Sequence, residues 1–332
     1  MAEGGSECTG VFFAADWAAV GSRYLLQHWS FDPFILVVAL VVSLHEMGLA
    51  HLARRSRVER SRARRRRSLV FYAGLAVLLL SVVSPVDYWA DEYFFVHMSQ
   101  HLLLMFAAPS LIVAGAPWLP LAHALPVGPR RAVGRFVVLS PGAAPLRMLG
   151  RLALSPVTAA VSFNLAMVAW HVPVLFDLGY RNGLVHIWLE HGSLFVTGVL
   201  FWMQVIPSYP IRLRMSPLRQ AEMLLGTNTI MVAAAISMSL LTSVSWYPVY
   251  NHLPGVTLSP FADQQIGASI LWVCGDLWAL PALMVAIGRF VRQEGGASEA
   301  LERLLRRPVL TVADLAGAGL PRHGDDGQDQ RR

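Results

Sequence analysis

The 332-residue chain has no lysine: all 27 of its basic residues are Arg. A retinal Schiff base needs a lysine amine, so an opsin-type seven-helix pigment is excluded. Charge is scarce altogether, at 14% of residues against about a quarter in soluble domains. That deficit excludes an ordinary water-soluble core and points to lipid as the solvent. Cysteine is nearly absent. Cys8 and Cys274 form neither a C-x-x-C nor a C-x-C pair, so no disulfide framework or thiolate metal shuttle is available. Cys274, inside an apolar run, reads as a small buried residue. Also missing are a Walker loop, G-x-G-x-x-G, G-x-S-x-G and H-E-x-x-H, which leaves enzymatic chemistry without sequence support. The chain is therefore read as a non-enzyme.

What is there in quantity is apolar: 55% of residues are hydrophobic, and ten are Trp. A span needs about 20 mostly apolar residues. Seven segments qualify: Phe34–Ala53, Ser68–Val86, Val96–Leu119, Leu154–Leu175, Leu184–Ile206, Ala221–Val244 and Ile266–Val291. The expected fold class is all-α, a polytopic membrane bundle of about seven transmembrane helices. Arg placement sets its orientation. If seven spans alternate, 25 of the 27 Arg residues fall on one side, nine of them between Arg54 and Arg67, and only Arg23 and Arg181 on the other. The Arg-rich side is the cytoplasm, so the N-terminus is expected outside and the C-terminus inside.

The predicted divisions are an extracytoplasmic tail over 1–33, a transmembrane domain over 34–292 and a partly disordered cytoplasmic tail over 293–332. The first 33 residues lack a basic n-region and do not read as a signal peptide. They read as a short tail with an amphipathic stretch lying on the membrane. The Arg-rich first loop is read as touching anionic headgroups of membrane lipid rather than nucleic acid.

Ionisable residues inside spans are costly and are functional candidates by default. His97 and His101 open the third span, His171 closes the fourth, His186, Glu190 and His191 lie in the first turns of the fifth, and Asp263 precedes the seventh. All fall at the outer end. The i, i+4 spacing puts His97 and His101 on one helix face, with Met105 continuing that face and Met98 beside it. His186 and Glu190 repeat the spacing, and α-helical geometry rotates His191 by about 100° from Glu190. Two such pairs facing each other supply enough ligands for one metal ion. Imidazole with thioether nearby favours copper, while imidazole with carboxylate also suits zinc or iron. Each residue also has a plainer reading: interfacial anchors for the histidines, packing for the methionines, interfacial or core aromatics for Trp170, Trp188, Trp202 and Trp272. His45, Glu46 and Asp276 lie deep, without a partner visible in the sequence. Pro109 and Pro117, with Gly115, predict a third span that kinks or ends early.

The segment H-M-S-Q-H-L-L-L-M-F-A-A-P-S-L-I-V-A-G-A-P (His97–Pro117) resembles the multi-spanning CtaG family of bacterial cytochrome c oxidase assembly factors. So do W-H-V-P (Trp170–Pro173), V-H-I-W-L-E-H (Val185–His191) with F-W (Phe201, Trp202) after it, and D-Q-Q-I-G-A-S-I-L-W (Asp263–Trp272). The resemblance runs from about Ser68 to Val291. It implies a multi-pass protein of the bacterial plasma membrane whose partners are cytochrome c oxidase subunits, with copper ion as the cofactor or cargo. The family's motif residues, carried onto this chain, are His97, His101, Trp170, His171, His186, Glu190, His191 and Asp263. Two other functions compete: a haem-binding membrane redox protein with axial histidine pairs, and a copper or ion transporter, which would need polar residues to continue through the bilayer centre, where only His45, Glu46, Asn228 and Asp276 lie.

Overall fold

Ser-Pro pairs set where helices begin. Serine at the N-cap accepts from a free backbone N–H, and proline at the next position loses nothing there. Ser84, Ser155 and Ser216 accept from Val86, Thr158 and Arg219 at 3.2, 3.1 and 3.4 Å, and Ser259 accepts from Ala262 at 3.2 Å. In the computed structural model, which describes residues 28–31, 33–54, 58–252, 258–293 and 302, the regular structure is helical and no strand is formed among the described residues. The helices in chain order are α1 (Phe34–Ala53), α2 (Val58–Val83), α3 (Pro85–Glu92) and α4 (Phe94–Gly115, with a π turn at Leu103–Ala107). Next come α5 (Trp118–Ala122), α6 (Val127–Leu139), α7 (Ala144–Ala153), α8 (Pro156–Trp170) and α9 (Pro173–Arg181). Then follow α10 (183–205, with a π turn at Val185–His191), α11 (Pro217–Leu240) and α12 (Pro260–Gln293). The chain divides into two compact units at Ala286 and Ile287, and the packing described below belongs to the first.

Among the described residues, five helices are long and apolar enough to cross a membrane, namely α1, α2, α4, α11 and α12. The segment Pro141–Ala153 and α8 together make a sixth such stretch, bent by 71°. The expected fourth span is thus a 15-residue helix, α8, meeting α7 at an angle. Helix α10 is long enough, and His186, Glu190 and His191 dilute its apolar character. The first connection differs from its reading as a loop: α2 starts at Val58, so most of the Arg run is helical, which suits a residue type that loses little on entering a helix. The Arg-rich third connection is also helical, as α6 and α7, with Val133, Phe136 and Leu149 exposed beside the charges. Most of the N-terminal tail, with its amphipathic stretch and Cys8, and all but one residue of the C-terminal tail from 294 lie outside the described residues. Cys274 is exposed rather than buried, pointing outward from α12 next to Val273 and near Leu277, also exposed.

The bundle is apolar outside, and its largely apolar interior holds a buried polar cluster. Leu36 and Leu40 on α1, Leu69 on α2 and Leu165 on α8 are exposed, while His97, Gln100, His101, Glu190 and His191 are buried. Prolines hold the bundle together indirectly. A proline removes the hydrogen bond normally given to the carbonyl four residues earlier, and in an apolar interior such a carbonyl needs another donor. Pro85 strands Ser81, whose carbonyl accepts from Gln100 Nε2 at 2.8 Å. Pro109 strands Met105, whose carbonyl accepts from Trp202 Nε1 at 3.1 Å. Pro117 strands Val113, whose carbonyl accepts from Ser208 Oγ at 2.5 Å and from Ala116 N at 3.0 Å. In each case a side-chain donor from another segment fills the place, so each proline ties two segments together. The third span ends at Gly115, with Ala116 left-handed at φ 48°; it ends early, as Pro117 predicts. Gly198 lets α10 approach this region, since a Cβ there would sit 2.7 Å from the Met105 carbonyl oxygen.

Candidate metal centre

Tyr93 is extended (φ −133°, ψ 126°) and separates α3 from α4, so α4 begins with unpaired N–H groups. The Asp263 carboxylate on α12 caps them, accepting from Phe94 N at 2.7 Å and Phe95 N at 2.9 Å. One turn into the helix, His97 and His101 share a face as their spacing requires and meet edge to face, with ring centroids 4.3 Å apart. Their Nε2 atoms lie 2.8 Å from each other. Glu190 Oε1 from α10 lies 3.3 Å from the first and 3.1 Å from the second. All three residues are buried to 1% exposure or less.

With Glu190 ionised, protons alone cannot satisfy this triangle. If one imidazole carries its proton on Nε2, the other turns a lone pair toward the carboxylate oxygen. If both do, two N–H groups confront each other at 2.8 Å. A cation removes the conflict, because all three atoms then donate to it. The edges of 2.8 to 3.3 Å approach the roughly 3.3–3.4 Å between ligands on one face of a tetrahedron with metal–nitrogen and metal–oxygen bonds of about 2.0–2.1 Å.

The other carboxylate oxygen, Oε2, lies 3.0 Å from His186 Nδ1. Space for it depends on Gly179 of α9, where a Cβ would come within 2.4 Å of Oε2. Trp170 Nε1 donates to Ser193 Oγ at 2.8 Å, and Ser193 donates to the Glu190 carbonyl at 3.1 Å, tying α8 to the turn that carries the site. Below His101, His171 Nδ1 donates to Met167 O at 2.5 Å. That tautomer leaves His171 Nε2 with a lone pair, 3.2 Å from Met98 Sδ. Two soft donors therefore sit side by side. Phe176 packs on His97 at 4.8 Å between ring centroids, and Tyr247 packs on Phe176 at 4.4 Å. Tyr247 donates to the His171 carbonyl at 2.9 Å and Tyr250 to Ala90 at 2.8 Å. Burial pushes the Tyr250 phenol well above its ordinary range, so it stays a donor.

Helix α10 departs from the α-geometry reading at His191. In the π turn Val185–His191 the i→i+5 winding stacks residues five apart, and His191 comes round to His186, with ring centroids 4.1 Å apart. The structure thus gathers His97, His101, His186, Glu190 and His191, with His171 at 5.8 Å from His101 between ring centroids. Asp263 is elsewhere, occupied as the cap of α4. Asp87 on α3, which the sequence reading did not single out, joins the site: it, His186 and His191 each offer a ligand atom within 4.8 Å of the others. The signal for it lay in the run V-D-Y-W-A-D-E (Val86–Glu92), a group of carboxylates between two spans at the end where the histidines open the next helix.

Apolar spanning helices around a buried imidazole–carboxylate centre define the chain as a polytopic helical membrane protein. Residues 44–293 match the family model of the cytochrome c oxidase caa3 assembly factor, and the chain belongs to that family, CtaG. Among curated relatives, uncharacterized proteins of Mycobacterium bovis and Mycobacterium tuberculosis are each 27% identical over 280 residues, 81% of this chain. One from Mycobacterium leprae is 26% identical over 279 residues, 80% of this chain. The chain spans about 40% of the length of these relatives. No solved structure matches it.

Proposed function

We propose that this protein is a membrane assembly factor that holds a copper ion at His97, His101 and Glu190 and passes it to a haem-copper cytochrome c oxidase. The observation that carries the reading is the triangle of two imidazole nitrogens and one carboxylate oxygen, which protons alone leave in conflict while Glu190 is ionised. Copper is favoured over zinc or iron by the His171 Nε2–Met98 Sδ pair beside it, since imidazole with a thioether nearby suits copper. Family membership supplies the oxidase as the recipient. In this reading the protein lies in the bacterial plasma membrane with seven spans. The five clear spans, the bent α7–α8 stretch and α10 together reach that number, and alternation gathers 25 Arg residues on the cytoplasmic side. The centre then faces the extracytoplasmic side, where an external copper site is loaded.

The alternatives find less support. His97, His101, His171 and His191 are each 6% exposed or less, and each lies within 6.2 Å of another imidazole between ring centroids. That crowding suits sharing an ion rather than clamping a flat macrocycle. For a transporter, the deep residues His45 and Glu46 are engaged with Tyr72. The test is the double variant His97→Ala/His101→Ala in a strain lacking the native protein. It is expected to reach the membrane in normal amounts and to lower oxidase copper and activity together. Unchanged oxidase copper in that strain refutes the proposal.

A further inference from the structure

We infer, resting on the reading just proposed, that the centre has two cation positions and that Glu190 is the carboxylate bridging them. The second position belongs to Asp87, His186 and His191, whose ligand atoms lie within 4.8 Å of one another. Three observations converge on it. His191 is 1% exposed, and neither of its ring nitrogens has a hydrogen-bond partner. Buried polar atoms are ordinarily paired, because leaving them unpaired costs free energy; an imidazole with both nitrogens idle is explained by a ligand that it awaits. The π turn brings that ring against His186, at the one place where a carboxylate from α3 also arrives. Finally, the two oxygens of Glu190 face different partners, Oε1 toward His97 and His101 and Oε2 toward His186 at 3.0 Å. A carboxylate shared in this way is how two-metal sites hold ions about 3.5–4 Å apart.

The two positions differ in character. His97, His101 and Glu190 are fully buried, whereas Asp87 and His186 are only half-buried. The second position, with two imidazoles and at least one carboxylate, suits a borderline divalent cation such as Cu2+ or Zn2+. Being nearer the surface, it is where an ion enters. Glu190 then offers its second oxygen to the ion as it moves inward, so the ion never passes through uncoordinated space.

The test uses the full chain, purified in detergent, stripped of metal and equilibrated with Cu2+ alone. Bound copper is counted per chain, and electron paramagnetic resonance reports whether the ions interact. The wild type is expected to hold two ions with a spin-coupled signal. Asp87→Asn and, separately, His191→Ala are expected to hold one ion with an isolated signal. Two variants are used because either substitution alone could disturb folding. Two ions retained in both variants overturns the ligand assignment. One ion in the wild type, kept in both variants but lost in His97→Ala/His101→Ala, overturns the second position and leaves the copper reading intact. No ion in any of them overturns both.

Discussion

Where α1 packs on α2, Tyr72 donates to the Glu46 carboxylate, and His45 Nδ1 donates to the Tyr72 oxygen at 2.7 Å. Every proton in that chain has a direction and an acceptor. Where α4 meets α10, His97, His101 and Glu190 lie 2.8 to 3.3 Å apart, and with Glu190 ionised no placement of protons satisfies all three contacts. The residue types are nearly the same: histidine and glutamate in both clusters, with tyrosine in one and a second histidine in the other. A hydroxyl can donate to one neighbour while accepting from another; a second imidazole nitrogen in that place can do only one of these. The first cluster therefore joins two helices, and the second, while its carboxylate is ionised, has room for a cation that would complete it.

Glu190→Gln should break the contrast most severely. It keeps the size of the side chain but removes the charge that both cation positions share. Copper affinity should fall more than about 100-fold, beyond the range for losing a supporting hydrogen bond, as read by equilibrium dialysis of the purified protein. Gly179→Ala leaves every ligand in place and pushes a Cβ against Glu190 Oε2. A displaced carboxylate should weaken copper binding by about 10–100-fold with little change in helix content by circular dichroism. Adding copper at about 100 times its Kd should stabilise the wild type by about 2.7 kcal/mol. The resulting rise in thermal unfolding temperature should vanish in His97→Ala/His101→Ala.

Trp202→Phe sharpens the comparison from the structural side. It strands the Met105 carbonyl that Pro109 already deprives of its helical donor, and should cost about 1–3 kcal/mol of stability. Tyr72→Phe is the smallest change. Cutting the satisfied chain should cost about 1 kcal/mol and leave bound copper unaltered, and any loss of copper in that variant would join the two clusters functionally.

Legibility in the sequence followed the physics of each element. The first span is unbroken apolar sequence, and both its ends, Phe34 and Ala53, are readable to the residue. The start of α2 is not, because a run of Arg residues looks like a loop by charge while being well suited to a helix. The His97/His101 pair is legible, because α-helical spacing fixes which face a residue takes. His191 is misread for the same reason: nothing in V-H-I-W-L-E-H announces a π turn, and the α-helical phase turns the ring away from His186. Asp263 looked like a ligand from its position at the outer end of a span. Its role as the cap of α4 depends on a contact 169 residues away in sequence, which periodicity cannot register. Asp87 sits in a short helix between spans, where a carboxylate draws no attention until α3 is folded beside α10.

The π turn of α10 works like slack in a rope. One surplus residue is absorbed within Val185–His191, and the helix beyond it resumes its ordinary winding through Val205. Gly198 and Trp202 fix how that later stretch seats on α4, and they do so whatever the phase of the imidazoles above them. The direction in which the ligands point and the seating of the helix that carries them are therefore separate adjustments, so lineages of this fold are free to retune what the pocket grips while leaving the bundle around it unchanged.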